Sequence, residues 1–147
     1  MKKLLFIFFL LTVGVYGQEG KHERIKALKT TYITEKLSLT SAEAEKFWPI
    51  YNSYDKKFHE IRKIERNEIY KKLRNGLENL SDAEANTLID QSLSLESQSL
   101  ELRKQMISEL RKIISPKKII NLKKAEDDFK RELLDRYRHH RRTDTKQ

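Results

Sequence analysis

The residues that could do chemistry in this chain are few, and their spacing says more than their number. Asp55 and His59 stand four apart, as do Asp135 and His139. On a helix each pair would set an oxygen and a nitrogen donor on one face, which is the beginning of a metal site. His140 adds an imidazole, and His22 lies far upstream. Two donors do not select a metal. Metal sensing or metal binding therefore stands as the alternative function, with no residue assigned as a ligand. Nucleophilic chemistry has less to work with: the chain contains no Cys, no Gly-x-Ser-x-Gly and no His-Glu-x-x-His. Only Gly20 and Gly76 follow Gly17, too few for a loop that brings backbone N–H groups onto a phosphate. The carboxylates alternate with Lys and Arg, the pattern of solvated helix faces laced by ion pairs. The expectation is a protein that is not an enzyme and has no catalytic residue or cofactor.

The densest constellation is aromatic. Phe47, Tyr51, Tyr54, Phe58 and Ile61 recur at helical spacing, and Trp48 and Ile50 widen the stripe. Such a face can pack against another helix, form a dimer seam, or line a groove for apolar segments of other proteins. Exposed and rimmed by charge, it would be a binding surface. The candidate protein-binding residues are Trp48, Tyr51, Tyr54 and Phe58, with Lys56, Lys57, Arg62 and Lys63 as a basic rim.

The elements that must position these residues are helices. Their starts are marked by Thr40 with Glu43, by Ser81 with Glu84, and by Ser115 before Pro116. In the first two, the hydroxyl accepts from a free N–H of the first turn and the Glu reaches back to the cap N–H. In the third, proline occupies the first helical position, where its missing donor costs nothing. The pattern predicts four helices. The first runs over His22 to Leu37 with Ile25, Leu28, Tyr32 and Ile33 as its stripe. The second runs from Ser41 to about Arg74 and ends at Asn75-Gly76, where glycine takes a positive φ. The third follows Ser81. The fourth begins at Pro116 and carries Ile119, Leu122, Phe129, Leu133 and Tyr137. Glu65-Arg66-Asn67-Glu68 interrupts the second stripe. Pro49 lies well inside the second helix, where it cannot donate to Glu45, and this predicts a kink or break at Trp48-Pro49.

Lys2 and Lys3 followed by the apolar run Leu4 to Val15 read as a leader. That run is shorter than the ~20 residues a spanning helix needs. Small residues at Val15 and Gly17 place cleavage after Gly17, giving a signal peptide over 1–17, one all-α domain over 18–140 and a disordered basic tail over 141–147. Losing Lys2 and Lys3 lowers the formal charge from +9 to +7. Lys130 to Gln147 holds seven bases against three acids. Export argues against nucleic acid as a partner and leaves acidic proteins or peripheral contact with an anionic envelope surface. A charged fraction of 36% beside only 37% hydrophobic residues implies a high-surface shape with little core, which favours a dimer.

Leu39-Thr40-Ser41-Ala42-Glu43 and Leu80-Ser81-Asp82-Ala83-Glu84 resemble the paired Leu-Thr-x-x-Gln motifs of the Spy/CpxP-like periplasmic proteins. The Phe47-Trp48-Pro49-Ile50-Tyr51 run, after Arg24 to Leu28, is most similar to the branch called sensor of ECF-type sigma factor. Glu43 and Glu84 replace the motif Gln. The resemblance spans about His22 to Tyr137. It implies a four-helix, elongated helical hairpin bundle, often an antiparallel dimer of cradle shape. It also implies a periplasmic role in envelope stress: holding unfolded client proteins, or sensing stress and reporting it to a signalling partner. No metal ligand carries over from it. The expectation is an exported, dimeric, all-α protein that binds unfolded or partner proteins through an apolar, basic-rimmed helical surface.

Overall fold

A computed structural model describes the backbone of residues 16–144 and the side chains of Gly20 and residues 23–138. The leader run up to Val15 and the last residues of the tail, 145–147, lie outside the described residues. Every regular element among the described residues is helical. Helix α1 spans Tyr16–Leu37 and α2 spans Ser41–Ile64. A π-helical segment, Glu65–Tyr70, leads into α3, Lys71–Arg74. A 3-10 turn, Leu77–Asn79, precedes α4, Asp82–Leu110, and α5 covers Pro116–Asp144. No described helix is long and apolar enough to cross a membrane.

The helix starts follow local chemistry. Thr40 Oγ1 accepts from the Glu43 N–H at 3.2 Å, and the Thr40 N–H donates to Glu43 Oε2 at 2.8 Å. Ser81 and Glu84 make the same reciprocal pair. The Lys118 N–H donates to Ser115 Oγ at 3.4 Å. Each such cap satisfies donors that the first turn would otherwise leave open, and is worth about 1 kcal/mol.

Two expectations need correction. Helix α2 runs unbroken through Pro49, so the break expected at Trp48-Pro49 is not there. Pro49 lies on the exposed side of α2 together with Glu45, where water can take the place of the missing donor. The irregular turn lies instead at Glu65–Tyr70, the polar interruption of the stripe, where backbone bonds reach one residue further than in an α-helix. The second difference is at the C-terminus, where α5 runs on to Asp144, into the stretch 141–147 expected to be a disordered tail.

Two compact units form from the helices: Leu39–Ile119, and the described residues up to Ser38 together with those from Ile120 onward. The boundary falls inside α5. In the Leu39–Ile119 unit, Tyr54 pairs with Glu109 and Phe58 with Arg103. The partner number falls as the first number rises, so α2 and α4 run antiparallel as a hairpin. Its core is Phe47, Tyr51, Tyr54, Phe58, Met106, Leu110 and Ile114, with Ile69 and Leu88 further along. In the other unit, Asn121 Nδ2 donates to the Lys36 carbonyl at 2.7 Å, and the Tyr32 and Phe129 rings lie 5.5 Å apart. Here α1 and α5 are antiparallel, with Ile33, Leu37, Leu122 and Ala125 buried.

The hairpin tip turns at Gly76, whose φ is +106° and ψ 126°. The φ has the sign expected of a C-terminal glycine, but the ψ lies outside the left-handed helical well. A Cβ there would also collide with Glu78 Oε1 and sit 2.9 Å from Asn79 Nδ2. Glu78 can swing away, but the backbone strain remains. Gly76→Ala should therefore destabilise the chain by more than about 1 kcal/mol in urea unfolding, and adding Glu78→Ala should not restore it.

Candidate functional site

Phe47 anchors the aromatic cluster, with Trp48 edge-on at 5.0 Å and Tyr51 stacked at 5.4 Å. Three of the four aromatic candidates are not a surface. Tyr51, Tyr54 and Phe58 are 2%, 5% and 8% exposed. The physical reason is α4, whose Met106 and Leu110 complete the same core. The Tyr54 hydroxyl donates to Glu109 Oε1; that carboxylate, and then burial, raise the phenol above its ordinary value. Trp48 alone of the four is half-buried.

Lys56, Lys57, Arg62 and Lys63 are all exposed, but the apolar row beside them is core. Lys57 Nζ sits 4.7 Å over the Tyr54 ring, and Arg103 sits 5.1 Å over Phe58, closing the edges of that core. Arg62 lies 4.0 Å from Asp55 in a solvent-exposed pair. That Asp is also half of the Asp55–His59 donor pair. Among the described residues no group of three or more His, Cys, Asp or Glu could hold a metal ion. The side chains of His22, His139 and His140 lie outside the described residues.

Glu43 does more than cap α2. Lys118 Nζ, in the first turn of α5, donates to Glu43 Oε2 at 2.6 Å, with both side chains about a quarter exposed. The Lys118 ammonium first, and the Thr40 N–H second, hold the Glu43 carboxyl below its ordinary value of 4.5. The capping bond from Ser81 and the Lys124 ammonium shift Glu84 and Asp128 the same way. A carboxyl lowered in the folded state stabilises fully above its unfolded value and loses that contribution as pH falls through the lower folded value. Stability should thus decline from about pH 4.5 downward. Circular dichroism of Glu43→Gln should show lower stability at neutral pH and a shallower acid decline than the parent.

An open apolar site lies elsewhere. Between α1 and α5, a half-open groove is lined by Leu28, Tyr32, Phe129, Glu132, Leu133 and Arg136. Four of these six are apolar or aromatic, and Leu28 is 49% exposed. At its mouth Arg136 Nη2 donates to Glu132 Oε1 at 2.5 Å. The rest of the Arg136 fork has donors to offer. Lys36 Nζ sits 5.3 Å over the Tyr32 ring. Basic residues Lys130, Arg131 and Arg138 follow along α5, interleaved with acids; Arg131 pairs with Asp128 and Arg138 with Asp135. The groove has room for a single small apolar side chain, beside a guanidinium that can donate to a backbone carbonyl. Both helical stripes are visible in the sequence, but the groove is not, because nothing local says that Tyr32 meets Phe129.

Comparison with protein-family models, curated proteins and solved structures finds no match for this chain.

Proposed function

We propose that this chain is an exported envelope-stress protein that binds other polypeptides without catalysing a reaction, holding apolar segments of unfolded clients. The observation that carries the reading is the α1/α5 groove, an apolar floor open to solvent with Arg136 at its rim. The basic surplus from Lys130 onward supports it, because positive charge raises the local concentration of acidic clients. The leader pattern and the resemblance to Spy/CpxP-like proteins support the periplasm as the place and an elongated hairpin bundle as the form. The binding surface is thus moved from Tyr51, Tyr54 and Phe58 to the groove.

Light scattering of a denatured client tests it. Stoichiometric protein should suppress aggregation. Leu28→Glu puts a carboxylate into the groove at a half-exposed position and should abolish suppression. Leu134→Glu, on α5 at 48% exposure and outside the groove lining, should not. No suppression by the parent protein would sink the holdase reading, and a single preferred partner in a pull-down would then favour a sensor.

A further inference from the structure

The far half of the α2/α4 hairpin has too little core for the apolar surface it carries. Among the described residues between His59 and Gln105 only Ile69 and Leu88 are buried. Tyr70, Leu73, Ile89, Leu93 and Leu100 are 52%, 37%, 56%, 58% and 57% exposed. Ile89, Leu93 and Leu100 recur at helical spacing and form one stripe on α4, turned about 100° from the inward-facing Leu88. Tyr70 is turned in the same sense from the inward-facing Ile69. Because the arms are antiparallel, equal turns bring both to one broad face of the hairpin. The register set by Tyr54–Glu109 and Phe58–Arg103 puts Tyr70 level with Leu93, and Leu73 level with Ile89.

The charges on the two arms are opposite. Between His59 and Asn75 the first arm carries six bases and three acids, whereas between Ser81 and Gln105 the second carries five acids and two bases. An acidic client would be repelled by one arm and a basic client by the other. A second copy rotated by a two-fold axis running along the hairpin fits both arms at once: each basic arm faces the partner's acidic arm, and the apolar stripes meet between them. The five side chains leave roughly 500 Å² of apolar surface per copy. Two copies therefore cover about 1,000 Å², the lower bound for a specific interface.

We infer that this face is the interface of a homodimer in which the two hairpins lie side by side with their tips pointing the same way. An axis across the hairpin would set basic arm on basic arm, so the charges disfavour the antiparallel arrangement that the family resemblance implies. The interface and the α1/α5 groove share no residue, so the two readings fail independently.

Sedimentation equilibrium tests the dimer. The parent chain should be dimeric at micromolar concentration. Leu93→Glu, at an exposed position, should weaken association at least 100-fold with unchanged helical circular dichroism. The chain has no native cysteine, so Leu77→Cys at the exposed tip can carry a lone spin label. Dipolar spectroscopy should then give a label separation under about 25 Å, as side-by-side helix packing requires. A monomeric parent, a Leu93→Glu chain that stays dimeric, or tips held further apart than that would overturn the inference.

Discussion

Replacing Phe47 with alanine should lower the stability of the protein by about 3–5 kcal/mol, the cost of removing a large aromatic side chain from a core that cannot collapse around the gap. Phe47 has no exposed surface. It also holds its two ring neighbours, Trp48 and Tyr51, so its loss removes edge-on and stacked contacts together with buried area. Trp48 is the chain's lone tryptophan. Its fluorescence therefore reports unfolding beside the site of substitution, and the urea midpoint of Phe47→Ala should fall steeply. Trp48→Ala, at a half-buried position, should cost less, as read by circular dichroism.

Two residues further on, the expected change has the opposite sign. Pro49→Ala should stabilise the protein by about 1–3 kcal/mol. Proline inside a helix costs about 3 kcal/mol relative to alanine, because it removes one backbone bond and crowds the preceding turn. Part of the gain is offset, since alanine leaves the unfolded chain more freedom. Pro49 is exposed and α2 passes through it without interruption, so alanine has room and restores the bond to Glu45. A Pro49→Ala chain with a lower urea midpoint would mean that the ring itself is needed, for a bend or for a contact.

These neighbouring residues show what can be read from the sequence and what cannot. Thr40-x-x-Glu43 and Ser81-x-x-Glu84 are readable because both partners of each bond sit within one turn, so spacing alone decides the geometry. The all-helical class is readable for a similar reason: apolar periodicity and the scarcity of glycine leave no strand pattern. Pro49 was misleading because its local cost is real but small beside the burial of Phe47, Tyr51, Tyr54 and Phe58 along the same helix. The irregularity lies at Glu65–Tyr70 instead, where polar residues interrupt that stripe and the helix continues in π geometry.

The candidate site was harder, because it depends on pairing across long separations. An amphipathic face at Tyr51, Tyr54 and Phe58 looks alike whether it is core or groove, and only Met106 and Leu110 on α4 decide between them. The same limit hid the groove. Leu28 and Tyr32 read as an ordinary stripe, as did Phe129 and Leu133, and their meeting leaves Leu28 half exposed. Client class and signalling partner depend on cellular context, which no helix packing encodes.

The most direct measurement of the central claim is hydrogen exchange along the full chain, with and without a stoichiometric unfolded client. If clients are held in the α1/α5 groove, amides around Leu28 and Tyr32 and those from Phe129 to Arg136 should exchange more slowly in the complex, and Leu28→Glu should remove that difference. Protection confined to Leu39–Ile119, or none at all under conditions where aggregation is suppressed, would contradict the account.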